Sequence, residues 1–391
     1  MSDDWIGLRV ARYRDLAGLT QQQLADRVGK SRPYISQIEN GDRPVTTRKL
    51  LIALAEALGV STVDLTGTPR HTRDRAERPV HVAVPAVRAA LAGALDPLTV
   101  HRESGQLLED VTGLMSARMA CDYPRIGRLL APTLAGATAL AQDQATPEAD
   151  AILSRVLFTA SMVLRPLGYV DLATMMAQQA AGHAELPDAR AAAEFARSQC
   201  LLAVGGQGMQ ELSLRVALGP ADEPGPATAW KGLLYLQAGL AAASLGNDSE
   251  AMECINEAAD IARLTSVVDS WQMDFSAANV EVWRVAAVLE SADPGRAVDI
   301  SRRVPINDLK TVQRRAHLLM HAAHGHYARG QYDSATSLFV MADRLAPAEV
   351  RGRTRVREVV GQMLRDARRR AGSEQLRDLA LKVGVDPLET T

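Results

Sequence analysis

Apolar residues in the first 66 positions recur every three or four residues, the period of a helix with one buried face. Glycines follow these short segments and end them, because glycine readily adopts the left-handed conformation. The pattern predicts helices over 5–17, 21–28, 32–40 and 47–58. Thr20 and Gln23 have the spacing of a capping box at the start of the second helix. The segment is therefore predicted to be a small all-helical domain.

The third of these helices has one apolar side and one side too polar for a core. Ile35 and Ile38 lie on the apolar side, and Ser31 occupies the N-cap position, where its side chain is expected to cap the helix. Two short helices joined at Gly29, the second with a polar outer face, match the helix-turn-helix arrangement. The major groove of B-DNA is about 12 Å wide and admits such a helix. The alternative is a small helical domain that contacts another protein.

The stretch LTQQQLADRVGKSRPYISQIENG resembles the repressor-type helix-turn-helix of the XRE family, similar to the lambda and 434 repressors, over about residues 5–66. The resemblance implies that the third helix lies in the major groove of duplex DNA. The residues implied at base edges are Arg32, Pro33, Ser36 and Gln37. Those implied at phosphates are Gln21, Lys30, Ser31, Tyr34, Asn40 and Arg43. Pro33 stands where some relatives have a polar side chain, so we expect an apolar contact there, such as one to a thymine methyl.

The segment 67–86 holds three prolines, alternating charges and little periodicity, which predicts a semi-rigid linker. Through Val80 the chain has 13 Lys and Arg against 10 Asp and Glu, whereas the remainder has 31 against 36. A basic N-terminal part on an acidic remainder agrees with an anion-binding site near the N-terminus. We therefore predict a DNA-binding domain at 1–66 (the head), a linker at 67–86, and a second domain at 87–391 (the body).

The body reads as helix after helix without the alternation of strands. Similar helix pairs recur at 151–184, 231–263, 279–304 and 316–347. The last of these, AHLLMHAAHGHYARGQYDSATSLFVMADRLAP, resembles a tetratricopeptide repeat, a unit of about 34 residues. Each pair has an apolar stripe that it cannot bury alone, and stacking buries these stripes in a curved superhelix. The predicted fold class is all-α, a repressor-like head followed by a tetratricopeptide-like superhelix.

In such repeats the first helix of each pair lines the concave face, and helical phase then selects candidate residues for an effector groove. They are Arg155, Phe158, Met162, Arg165, Leu236, Asn279, Val282, His317, Met320 and His324. The set suits an extended peptide, since Asn can hold a peptide backbone and Arg can hold carboxylates. His317, His321 and His324 share one face, but no Asp, Glu or Cys joins them at ligand spacing. We predict no metal there, and a polar patch or a pH-sensitive contact instead.

The remaining features limit the class of protein. The three cysteines are scattered, which fits a reducing compartment. The acidic N-terminus does not look like a signal peptide, and no apolar run reaches the length of a membrane span, so a cytoplasmic location without membrane contact is expected. No catalytic motif appears, so neither enzymatic activity nor a cofactor is predicted.

Together these features predict a sequence-specific transcriptional regulator that binds a palindromic double-stranded operator as a homodimer, because one recognition helix offers few base contacts. The body is predicted to sense a signalling peptide or a small molecule. The combination resembles peptide-responsive, quorum-sensing regulators of the Rgg and PlcR sort, and actinobacterial XRE proteins with helical-repeat bodies. Two alternatives stay open. The body is a scaffold for a protein partner, or the chain is an enzyme with a DNA-binding head and a split active site.

Overall fold

The computed structural model describes residues 5–67, 78–94, 104–223, 228–264, 269, 271, 273–368 and 374–385 of the chain. All regular secondary structure in these ranges is helical, which confirms the predicted all-α class. No helix within the same ranges is long and apolar enough to cross a membrane.

Five short helices form the head: α1 (Ile6–Leu16), α2 (Gln21–Val28), α3 (Arg32–Glu39), α4 (Arg48–Leu58) and α5 (Thr62–Thr66). The first four lie where the periodicity predicted helices. The capping box is present, because Gln23 N donates to Thr20 Oγ1 at 3.2 Å and Thr20 N donates to Gln23 Oε1 at 2.8 Å. Thr47 caps α4 by accepting a hydrogen bond from Leu50 N.

The core of the head forms where these helices cross. Val10, Leu24, Ile35 and Leu54 are fully buried in it. Helix α1 can approach α3 closely because Gly7 lacks a side chain, and a Cβ at this position would lie 2.0 Å from the carbonyl oxygen of Ile38. The backbone distance at this crossing therefore requires glycine.

The body is a succession of helices: α6 (Arg78–Leu91), α7 (Ser104–Met119), α8 (Tyr123–Gln144), α9 (Pro147–Leu164), α10 (Val170–Gly182), α11 (Pro187–Val204), α12 (Gln207–Asp222), α13 (Ala229–Leu245), α14 (Asp248–Ala262), α15 (Ala277–Glu290), α16 (Pro294–Arg303), α17 (Val312–Ala328), α18 (Tyr332–Leu345), α19 (Pro347–Arg351), α20 (Thr354–Arg368) and α21 (Glu374–Lys382). A short 3-10 helix spans Ile306–Asp308.

From α9 to α18 the helices form successive pairs, and the first helix of each pair also packs against the first helix of the next. Each predicted unit contains one such pair: α9 and α10, α13 and α14, α15 and α16, and α17 and α18. The pair α11 and α12 completes the array. Side-by-side stacking of α9, α11, α13, α15 and α17 gives one continuous surface made of first helices, as expected for a helical-repeat superhelix.

Aromatic side chains form a rigid layer beneath this surface. Phe158 lies edge-on to Trp230 and Trp271 with ring centroids 5.6 and 5.3 Å apart. Phe195 contacts Trp230 and Trp283 at 5.9 and 6.2 Å. Edge-to-face aromatic pairs are favourable beyond the area that they bury. The layer joins α9, α11, α13 and α15.

The prediction of a linker through residue 86 is wrong in its second half. Helix α6 begins at Arg78 and buries Val80, Val84 and Val87 against α8. The prolines and charges of this stretch suggested a connector, yet the three valines keep helical spacing and Pro85 is accommodated inside the helix. Residues 68–77, half of the predicted linker, lie outside the described residues.

Candidate nucleic-acid interface and head–body cavity

Helix α3 turns its polar side to solvent. Arg32, Pro33 and Gln37 are exposed and Ser36 is half-buried, while Ile35 and Ile38 anchor the opposite side in the core. Asn40 Nδ2 donates to Ser36 Oγ at 3.4 Å, which orients both side chains at the C-terminal end of the helix. The four predicted base-reading residues thus lie together on one accessible face, as groove insertion requires.

The predicted phosphate-contacting residues surround this face. Tyr34 contacts two cations, with Lys30 Nζ 5.5 Å and Arg43 Cζ 4.5 Å from its ring centroid. Such cation–π contacts hold flexible side chains in place. Ser31 occupies the N-cap position, but its side chain makes no capping hydrogen bond, contrary to the expectation from sequence. Its hydroxyl is therefore not committed to capping α3. Pro33 has no N–H and Tyr34 N donates to Ser31 O at 3.0 Å, so the first turn of this helix offers few amides to an anion.

Gln21 is held by a network that the sequence did not reveal. Its Nε2 donates to Glu39 Oε2 at 2.8 Å, and Arg14 donates to both oxygens of Glu39 at 2.7 and 3.1 Å. The Glu39 carboxylate is nearly buried and raises the pKa of Arg14 through this hydrogen bond. The network ties α1 and α2 to α3. One donor of the Gln21 amide remains for a phosphate.

The head rests on the body through α1, α4, α5 and the turn that follows α3. Thr62 Oγ1 donates to the carbonyl oxygens of Ala203 and Val204, both at 3.1 Å. Further hydrogen bonds across this interface run from Gln207 N to Glu56 Oε1 (2.6 Å), from Ile6 N to Glu358 Oε1 (3.2 Å), and from Arg365 Nε to Gly41 O (2.9 Å). The basic tail helix α20 thus contacts the head through Glu358 and Arg365.

A cavity of about 310 Å³ lies between the two parts, and we call it the head–body cavity. Its head wall is Ile6, Val45, Thr46, Thr47, Arg48, Leu51 and Thr66. Its body wall comes from the first helices α9, α11, α13, α15 and α17 and from the segment 349–356. Six of the ten predicted groove residues line it, namely Met162, Arg165, Val282, His317, Met320 and His324.

The other four groove predictions need correction, because the structure places these residues away from the cavity. Phe158 and Leu236 are fully buried in the core. Asn279 is also fully buried, and its Nδ2 donates to Asp274 O at 2.8 Å, so it braces a turn of the chain. The Arg155 guanidinium lies over Trp271 at 4.6 Å. Helical phase identifies a face of a helix, but it does not tell which part of that face packs against the next pair.

Comparison with known proteins places the head in a family. Residues 10–65 match the helix-turn-helix family model. The propionyl-CoA carboxylase regulator of Cereibacter sphaeroides is 40% identical over 62 residues, 16% of this chain and 13% of that protein. The HTH-type transcriptional regulator y4dJ of Sinorhizobium fredii is 45% identical over 60 residues, 15% of this chain and 77% of that protein. The chain belongs to the XRE-type helix-turn-helix family.

This family relation concerns the head. The chain spans only 13% of the length of the Cereibacter sphaeroides relative. The crystal structure of ComR from Streptococcus suis aligns over 92% of this chain and 94% of that chain, with a TM-score of 0.31 and 12% identity. A score this low shows that the two helical arrays are not superimposable residue by residue.

In this XRE-type chain, two buried carboxylates join the walls of the cavity. Glu290 of α15 accepts a hydrogen bond from Arg48 N at 2.8 Å and lies 3.1 Å from the Arg355 guanidinium. Glu349 accepts a hydrogen bond from Tyr123 Oη at 2.8 Å and pairs with Arg353. Burial opposes the charge of Glu349, yet Arg353 and His317 hold its pKa well below its usual range. Glu290 therefore links the head to two parts of the body.

These charged residues were missed from sequence, although part of the signal was present. Glu349 and Arg353 stand four residues apart, a spacing that favours ion pairs along a helix. The stretch VRGRTRVREVV that contains Arg353 and Arg355 has the basic composition of a solvent-exposed surface. Because the partner Glu290 lies about sixty residues earlier, only the folded chain shows that this stretch borders a cavity.

The three histidines line the cavity together. Burial lowers the pKa of His317 to about 4 and that of His324 to about 3, and it lowers the pKa of His321 well below its usual range. All three are therefore neutral near pH 7, so a pH-sensitive contact at neutrality is not what this geometry favours. Among the described residues, no group of three His, Cys, Asp or Glu side chains is arranged to hold a metal ion.

Proposed function

We propose that this helix-turn-helix transcriptional regulator reads its operator with α3 and responds to an effector bound in the head–body cavity. The observation that carries the proposal is that the cavity is shared. Arg48 and Leu51 of the head face Met162, Val282 and Met320 of the body across it. A ligand there touches both parts, whereas the polar side of α3 stays accessible. Ligand binding can thus alter the position of the head relative to the body.

We further propose that the protein acts as a homodimer on a palindromic operator. One recognition helix presents only Arg32, Pro33, Ser36 and Gln37 to the bases, and two copies on half-sites about 34 Å apart double these contacts. A small change in the seating of each head alters how well two heads match that spacing. This is the step that would convert a ligand in the cavity into a change in operator affinity.

Footprinting of the purified protein on DNA upstream of its own gene tests the DNA half of the proposal. We expect protection of a sequence with two-fold symmetry that is lost in the double variant Ser36→Ala, Gln37→Ala. Retention of the footprint by this variant, or an asymmetric single half-site, would contradict the assignment of α3 or the dimer.

A filled cavity tests the effector half. Leu51 lies on the head wall and away from α3, so Leu51→Trp occupies the cavity without altering the DNA-facing surface. We expect operator affinity to change at least fivefold in fluorescence anisotropy, with Leu16→Trp, at an exposed site of α1, as the matched control. An unchanged affinity would favour the alternative in which the body responds to a protein partner.

A further inference from the structure

Two arginines in the head–body cavity have buried nitrogen atoms that lack a hydrogen-bond partner among the described residues. Arg165, at the end of α9, and Arg314 of α17 both line it, and the Nε atom of each is buried without a hydrogen-bond partner among the described residues. Arg314 is only 6% exposed, and its guanidinium lies 5.5 Å from the centroid of the Trp283 ring. A buried charge without a partner is unfavourable, because it has lost its hydration.

The carboxylates that could neutralise these arginines are already engaged. Glu290 forms ion pairs with Arg48 and Arg355, and Glu349 forms one with Arg353. Asp274 and Asp269 also act on Arg314 electrostatically. The oxygens of Asp274 accept hydrogen bonds from Thr311 N at 2.9 Å and from Thr311 Oγ1 at 3.1 Å, and those of Asp269 accept from Met273 N at 2.8 Å and from Phe275 N at 3.1 Å. Each carboxylate therefore has other donors.

The cavity lining as a whole carries an excess of positive charge. Five arginines line it, and they face only two carboxylates: Arg48, Arg165, Arg314, Arg353 and Arg355 against Glu290 and Glu349. Burial lowers the pKa of Arg165 to about 10 and also lowers that of Arg314, yet both stay protonated near pH 7. The buried histidines are neutral and add no charge. The site therefore attracts anions.

The rest of the wall is apolar. Met162, Phe195, Leu240, Val282 and Met320 line the same space. Ligand pockets in proteins range from about 300 to 1,000 Å³, so a cavity of about 310 Å³ suits a compact molecule better than an extended peptide. A guanidinium binds planar carboxylate and phosphate groups through paired hydrogen bonds.

We propose that the head–body cavity binds a small organic acid, with its anionic group held by Arg165 and Arg314 and its apolar part against Met162, Val282 and Met320. This rests on the proposed function, and it names the chemical class of the effector. The acid would supply the counter-charge that the protein lacks at these two arginines. It would lie beside the bridge that Glu290 forms with Arg48 of the head.

The test uses a fluorescent acid and its neutral counterpart on the full chain. The probe is 8-anilinonaphthalene-1-sulfonate, and N-phenyl-1-naphthylamine has the same rings without the sulfonate. We expect the variants Arg165→Met and Arg314→Met each to bind the sulfonate at least tenfold more weakly, with binding of the neutral dye unchanged. Methionine keeps about the length of the aliphatic part of the arginine side chain and removes the guanidinium with its charge and donors.

Arg315→Met is the matched control, because Arg315 neighbours Arg314 on α17 but donates to Leu309 O at 2.8 Å and does not line the cavity. It should bind the sulfonate as the unchanged protein does. Equal affinity of all variants for the sulfonate would overturn the proposal. Thermal unfolding of each variant verifies that it is folded. Loss of both dyes in a folded Arg165 or Arg314 variant would also overturn it, since shape rather than charge would then decide binding.

Competition identifies the class of acid. Octanoate should displace the bound sulfonate, and octanamide should not. Displacement by a trileucine peptide with a free carboxylate, without displacement by octanoate, would overturn the assignment to a compact acid in favour of a peptide terminus.

Operator binding separates this proposal from the proposed function. Arginine-dependent dye binding without any effect of Leu51→Trp or octanoate on operator affinity would uphold the anion site and refute the effector role. If Leu51→Trp or octanoate changes operator affinity but the two arginine variants bind the dye as the unchanged protein does, the anion site alone would be refuted.

Discussion

At the scale of single residues, the DNA recognition that we propose depends on side chains that the fold leaves exposed. Arg32 is exposed at the first position of α3, and Gln37 is exposed one turn further along. Nearby polar residues that are not free in this way, such as Glu39 and Arg14, hold the head together instead. Sequence marked both groups as polar, and only their burial separates the roles.

Arg32→Ala should weaken binding to the correct operator by about 1–3 kcal/mol while leaving nonspecific binding nearly unchanged, because an arginine at a base edge contributes mainly to discrimination. Fluorescence anisotropy on operator and scrambled duplexes at one salt concentration measures this. Arg12→Ala, at an exposed site of α1, is the control. Equal losses on both duplexes would assign Arg32 to phosphate alone.

At the scale of helices, close backbone contact and capping fix the head more tightly than apolar periodicity suggests. The crossing of α1 and α3 leaves no room for a Cβ at Gly7, while the capping box sets where α2 begins. The bounds of α1 to α4 followed from the sequence because caps and glycine stops are local signals. Helix α6 was missed because its prolines suggested a connector. Its three buried valines indicate a helix only once α8 is there to cover them.

Gly7→Ala should destabilise the head by about 1–3 kcal/mol, because the added methyl group forces α1 away from α3. Chemical unfolding followed by circular dichroism measures the change. Gly182→Ala is the matched control in helix α10, where an added Cβ meets nothing within 4 Å. There the replacement should stabilise slightly, as alanine favours helix over glycine. Similar effects at the two sites would argue against a steric origin.

At the scale of the whole molecule, the head and the body are joined through buried charge. Glu290 accepts a hydrogen bond from Arg48 N of the head and pairs with Arg355 of the tail segment. Three regions far apart in sequence therefore meet at one carboxylate. The position of the head on the body depends on this contact and on the hydrogen bonds of Thr62 and Arg365.

Glu290→Gln should loosen the head, because it removes the negative charge that pairs with both Arg48 and Arg355. The size of the side chain is kept. We expect faster amide hydrogen exchange in the first turn of α4, with exchange in the core of α13 unchanged. Glu281→Gln serves as the control, since Glu281 lies on the same helix α15 and pairs only with Arg284 among described acidic and basic partners. Unaltered exchange in α4 would show that Glu290 does not hold the head.

The buried histidines predict a pH dependence of stability for the whole chain. An unfolded histidine binds a proton near pH 6.5, but the folded His317 and His324 do so only near pH 4 and 3. The unfolded chain thus binds more protons in between, so the free energy of unfolding falls as the pH drops from about 6.5 toward 4. Urea unfolding at several pH values measures this slope. It should be shallower in His324→Leu and unchanged in Met320→Leu, and an equal slope in His324→Leu would contradict it.

The amino-acid pattern alone predicts the all-helical class, the four main helices of the head, the polar face of α3 and the helix pairs of the body. Each of these depends on residues within about one helical turn or one repeat of each other, where period, caps and glycine stops act. Tertiary structure alone decided that the head closes over the first helices, and that Arg165 and Arg314 share a cavity with Glu290 and Arg355. It also showed that Asn279 and Phe158 are fully buried and do not line the groove. The physical reason is that burial and charge balance depend on partners distant along the chain, for which local periodicity carries no signal.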